Sequence, residues 1–173
     1  MRCTRVGKLC PMTANLTVQS VIKASAQFWE QMLAMHLEPI TCGTGSGASG
    51  GEVCGSVNLT GVWTGRVEIY IGAGLAQLAT ATMLLQPADS VREADILDAT
   101  KEIANMIAGV IKSSLPRPCL MDVPTACLRA VECCLRPIGS DALEVGFRHA
   151  AGDMLVRVSG SMGAGAEPTS VVT

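Results

Sequence analysis

Apolar residues recur along this chain with two different periods, and the switches between them mark out its elements. From Leu16 to about His36, LTVQSVIKASAQFWEQMLAMH sets Val18, Val21, Ile22, Phe28, Trp29, Met32 and Leu33 at helical spacing, with the small Ser25 in the same stripe. That predicts a first helix with one buried face. Val53 to Thr60 and Gly65 to Ile71 instead alternate apolar and polar residues, and GVWTG between them can turn the chain, so the two read as an antiparallel hairpin with one buried side. A second helix is predicted from Leu75 to Leu85, ending near Pro87, and its Ala and Met content predicts close packing. The third runs from around Val91 to Ser114, stopped by Pro116 and Pro118. PTACLRAVECCL, ALEVGFRHA and DMLVRVSG follow as three strands, the last two joined by the turn AAGD. This order predicts an α+β domain whose long helices cover a mostly antiparallel sheet.

Composition changes that picture only in part. The 173 residues suffice for one substantial core. Residues 1–13 and 161–173 lack periodicity and are expected to form a flexible arm and a disordered tail around a domain at 14–160; Met12 is a candidate native start. With 49% hydrophobic but 3% aromatic residues, the core must be filled by Ala, Val, Leu, Ile and Met. Lys and Arg are scattered and the net charge is -2, so nothing draws a phosphate backbone and nucleic acid is not expected as a partner. The most apolar helix is broken by Glu102, Asn105 and Lys112, and the amino terminus lacks the apolar stretch of a secretory signal. A cytoplasmic protein that does not enter a membrane is the expectation.

The eight cysteines contain no C-x-x-C, and His36 and His149 are the only histidines. Buried reduced thiols are therefore expected, and neither a metal site nor a disulfide framework. Gly45, Gly47 and Gly50 match G-x-G-x-x-G, but the segment runs into the alternating pattern from Val53 instead of following a strand and opening a helix, so it reads as a loop.

The third helix carries the chemistry. At about 100° per residue, Asp98, Glu102, Asn105 and Gly109 fall within roughly 60° of one another and form a narrow ridge. Ile96, Ile103, Ile107, Val110 and Ile111 fall on the other side, so the aliphatic face is buried and the ridge presented to solvent. An amphipathic helix needs polar residues outside, and that alone accounts for Asp and Glu. Asn105 and Gly109 are different: both oppose helix propensity where solvated Lys or Glu would serve. Gly109 would leave a bare patch for another protein's backbone, or for close packing of a neighbouring helix. A carboxamide donates and accepts without titrating, so it can hold a water for attack on a phosphoryl group. A carboxylate one turn away can pair with a cation of the phosphorylated partner. Phosphoryl transfer asks mainly for positioning and electrostatics, which such a ridge can supply. The other conventional arrangement is Cys119 or Cys127 with His149, and no motif supports it.

LDATKEIANMIAGVIKSSLP resembles the CheX-like branch of the CheC and CheX family of chemotaxis phosphatases, whose signature is an acid or serine followed by E-x-x-N on an exposed helix. FWEQML on the first helix, the GSVNLTGVWTGRVEIYIG hairpin, Pro124 and the closing GFRHAAGDMLVRVSG also look like family features. The resemblance implies a CheC/CheX-like fold and hydrolysis of the aspartyl phosphate on a CheY-type receiver domain. It implies that Asn105 orients the attacking water, that Glu102 engages the receiver's active-site lysine, and that Asp98 stands at the acid-or-serine position. It further implies that Mg2+ sits on the receiver, that this chain binds no cofactor of its own, and that it forms a homodimer. Glu30 is followed three residues later by Leu33 and not Asn, so one centre per chain is expected. A second reading keeps the fold and the ridge but makes the chain a non-catalytic module that docks a receiver or another signalling protein.

Overall fold

The computed structural model describes residues 16–40, 53–128 and 142–162. The arm at 1–13, the glycine-rich loop, Cys3, Cys10, Cys42, Cys133, Cys134 and the tail from 163 lie outside the described residues.

Among the described residues, three α-helices and seven strands follow in the order α1 (Val18–Leu33), β1 (Glu38–Ile40), β2 (Val53–Gly61), β3 (Trp63–Ile71), α2 (Ala73–Leu84), α3 (Glu93–Ser113), β4 (Cys119–Met121), β5 (Thr125–Leu128), β6 (Ala142–His149) and β7 (Gly152–Met162). The strands form one antiparallel sheet in the spatial order β1-β6-β7-β3-β2-β4, with β5 also on β2. The α+β class read from the period switches is the class observed. The hairpin pairs Val57 with Val67, and β6 and β7 meet through the turn at Ala150 and Ala151, as AAGD suggested. Two strands escaped the sequence reading, β1 and β4, because three residues cannot display a period.

Register explains why the sheet has two unlike faces. Successive rows across it are Val57, Val67, Val158 and Leu143; then Gly55, Ile69, Val156 and Val145; then Val53, Ile71, Met154 and Phe147. These face the helices and, with Trp29, Trp63, Leu75, Ile103 and Ile107, form the core. The intervening row, Ser56, Glu68, Arg157 and Glu144, points the other way. There Arg157 donates to Glu144 at 2.6 Å and to the Tyr70 hydroxyl at 3.1 Å, while Arg66 donates to Ser56 at 2.7 Å. Opposite charges directly across strands make alternation favourable on the polar side as well as the apolar one.

The helices begin and end where local chemistry allows. Thr17 caps α1, its hydroxyl accepting from Ser20 N–H at 3.1 Å while Ser20 Oγ accepts from Thr17 N–H at 2.9 Å. Val21, Ala24, Ser25, Phe28, Trp29 and Leu33 are buried along α1, but Val18 and Met32, in its first and last turns, stay exposed. On α2 the small residues Ala76, Ala79, Thr80 and Ala81 are buried with Leu75, whereas Leu78, Leu84 and the capping residue Leu85 face outward. Close packing of α2 thus holds for its alanines and not for those leucines. No helix among the described residues is long and apolar enough to cross a membrane.

Candidate functional site

The site is built on α3, and α3 is held by what its back does. Glu93 and Asp95 lie in its first turn and Lys112 in its last, each complementing the helix dipole. The Asp95 carboxylate accepts from Arg92 N–H at 3.1 Å and from the Arg92 guanidinium at 3.0 and 3.1 Å. These bonds, led by those of the guanidinium, hold the carboxyl below its ordinary range. Ala99, Thr100, Ile103, Ala104, Ile107, Ala108 and Ile111 are buried, and Ile96 and Val110 pack partly against the core.

Gly55 of β2 sets the distance between sheet and helix. A Cβ there would stand 2.9 Å from the Thr100 carbonyl oxygen and 3.1 Å from Ala104 Cβ. The backbone of α3 therefore lies directly on the sheet, with α1 and α2 beside it. Thr100 and Ala104 are about 160–200° around the helix from Glu102, so contact with β2 aims the ridge away from the protein. A helix so clamped cannot rotate to hide it.

The structure brings the four predicted ridge residues together. Asp98 is exposed and pairs with Lys101 at 2.9 Å. Glu102 is exposed, Asn105 is half-buried and Gly109 is exposed. Glu102 and Asn105, three positions apart and so adjacent on the surface, take no side-chain hydrogen bond or ion pair from another described residue. At Gly109 an added Cβ would meet nothing within 4 Å, which removes packing of a neighbouring helix among the described residues as the reason for glycine.

The alternative Cys and His arrangement is not assembled. His149 ends β6, and its Nδ1 accepts from Ala151 N–H at 3.1 Å in the β6–β7 turn. Cys127 lies on β5 and Cys119 on β4, both across β2, with β7, β3 and β2 intervening. Four strand spacings amount to roughly 19 Å, far beyond proton transfer. Burial also pushes the Cys119 thiol up, against partial opposition from Lys112, so it stays protonated. Among the described residues no three His, Cys, Asp or Glu side chains gather as a metal site would require.

One feature next to the ridge was not foreseen from the sequence. An open cleft of about 670 Å³ lies beyond Gly109, lined also by Lys112, Ser113, Arg117, Pro118, Cys119 and Met121. Lys112 was visible as a helix position seven residues after Asn105, but Arg117 and Met121 reach the same place only because the chain reverses through Pro116 and Pro118 to pair β4 with β2.

The family model described as chemotaxis phosphatase CheX matches residues 53–147, more than half of the chain. Among solved structures, the chemotaxis protein CheX from Vibrio vulnificus is similar at 18% identity and a TM-score of 0.67, covering 86% of this chain and 99% of its own. A CheC-like superfamily protein from Shewanella sp. PV-4 aligns at 17% identity and a TM-score of 0.69, covering 84% and 99%. The CheX–CheY–BeF3–Mg2+ complex from Borrelia burgdorferi aligns at 18% identity and a TM-score of 0.68, covering 84% and 98%. At these identities the likeness is one of fold. No curated protein matches the sequence.

Proposed function

The chain belongs to the CheX family of chemotaxis phosphatases, and on that premise we propose that it hydrolyses the aspartyl phosphate of a CheY-type receiver domain through Glu102 and Asn105. The observation that carries this is the pair itself: a carboxylate and a carboxamide, adjacent on a clamped helix, aimed outward and claimed by no other described residue. A similar fold from Borrelia burgdorferi has been crystallised with CheY, BeF3 and Mg2+, which supports a CheY-like partner for this chain.

In the proposed reaction the Asn105 carboxamide orients a water in line with the phosphorus. The water oxygen bonds to phosphorus as the bond to the aspartyl oxygen breaks, which returns the receiver's carboxylate and releases inorganic phosphate. Glu102 pairs with the receiver's active-site lysine and fixes the register. Asp98, steadied by Lys101, and Gly109 extend the contact along the helix. Mg2+ would be held by the receiver and not by this chain, and when bound there it would supply positive charge against the phosphoryl oxygens. The acting form is a homodimer, which light scattering checks directly.

The lifetime of a phosphorylated receiver, measured with and without the protein, tests the proposal. Asn105→Ala is expected to lower the rate on the order of a hundredfold with docking and fold retained, the loss typical of one positioning group. Normal acceleration by Asn105→Ala would end the mechanism. Binding without any change in lifetime would make the chain a docking module.

A further inference from the structure

Along α3 the surface changes character at Gly109. On one side lie the acids Asp98 and Glu102; on the other lies the cleft, where Lys112 and Arg117 are the charged residues among the described ones that line it. Neither cation is paired with a carboxylate among the described residues. The thiol of Cys119 leaves the cleft wall neutral, and Leu120 and Val123 on the adjoining edge are 65% and 83% exposed. Asp122 lies in the same loop but does not line the cleft, and its backbone N–H is held by Asn58 at 3.0 Å.

What covers this surface follows from two of its properties. The first is continuity, since Gly109 is both the end of the ridge and a wall of the cleft, so a body seated on Asn105 must also pass over the cleft. The second is charge: two cations that no described carboxylate compensates, beside exposed apolar groups, suit a carboxylate-bearing protein segment, and the cleft is too open to enclose a small molecule. Lys112 follows Asn105 by two helical turns, which is about 10 Å along the axis.

We propose that this cleft is the second contact of the receiver-docking surface, taking an acidic segment of the receiver about 10 Å from its phosphoryl group, and that Lys112 and Arg117 thereby select among receivers. This rests on the phosphatase reading above and adds to it the determinant of partner choice. Rim charges act chiefly on encounter and affinity and leave the bond-breaking step alone. The two cations are therefore separable from Glu102 and Asn105 by experiment.

The test uses the full chain carrying Lys112→Glu and Arg117→Glu together. Binding to a CheY-type receiver loaded with BeF3 and Mg2+ is measured at low and high salt, and turnover of the phosphorylated receiver is followed in parallel. Kd and KM should rise roughly tenfold at low salt, with a smaller gap at high salt and kcat at saturation unchanged. Reversing an acidic residue on the receiver should recover the loss. Unchanged Kd and KM in a folded double variant, with wild-type turnover intact, would overturn this inference and leave the phosphatase reading standing. A loss of self-association in place of receiver binding would also overturn it, by assigning the cleft to a second copy of the chain. If the wild type neither binds nor turns over any receiver, both readings fall, and Asn105→Ala that binds but fails to turn over keeps both.

Discussion

Replacing Gly109 with alanine should move stability and docking in opposite directions. Gly109 lies within the helix Glu93–Ser113, is exposed, and offers an added Cβ nothing within 4 Å. No steric penalty opposes the gain from a better helix former, which is about 0.5–1 kcal/mol. For a chain of this size that corresponds to a rise in Tm of roughly 1–4 °C, read by circular dichroism. A receiver seated on the ridge, however, would find a methyl group where the backbone was bare. Misfit at a closely packed contact is worth about 1–3 kcal/mol, so KM for the phosphorylated receiver should rise by a factor of roughly 5 to 150. Gly55→Ala is the control within the same protein, because the same methyl group there strikes the Thr100 carbonyl. A fall in Tm at position 109 would show that the space above it is not open. A higher Tm with unaltered KM, for both Gly109→Ala and Gly109→Leu, would show that no partner reaches this turn.

The clamp on α3 and the start of that helix respond to perturbation in their own ways. Gly55→Ala should destabilise by about 1–3 kcal/mol in urea titration, because the carbonyl at 2.9 Å belongs to helical backbone that cannot swing away; an unchanged midpoint would refute the close contact. Asp95, held below the ordinary carboxylate range chiefly by its hydrogen bonds to the Arg92 side chain, stabilises the fold above that range and loses the contribution as pH falls through its lower folded-state pKa. The Tm difference between wild type and Asp95→Asn should therefore be full near neutral pH and shrink below about pH 4, and a difference that does not vary with pH would contradict the assignment.

Much of α3 could be read from the sequence because a helix repeats over a few residues. Asp98, Glu102, Asn105 and Gly109 are neighbours whatever surrounds them, and the aliphatic residues on the other side announce the buried face. The β2–β3 hairpin was legible for the same reason, its alternation needing only the pleat. Failures occurred where the pattern was too short or its partner too distant. β1 and β4 show no period, the exposure of Leu78 and Leu84 depends on where neighbouring elements end, and Arg157 finds Tyr70 across 87 positions of sequence.

The sequence by itself determined that one helix would carry an acid and an amide side by side, with glycine one turn on, because that adjacency follows from helical pitch. Only the tertiary structure decided that this edge faces outward without claim from the other described residues. The deciding contact is the seating of Thr100 and Ala104 on Gly55, which joins residues more than forty positions apart. The cleft and its two cations were likewise settled by the return of the chain to β2, since a pairing between distant segments leaves no periodic trace in either of them.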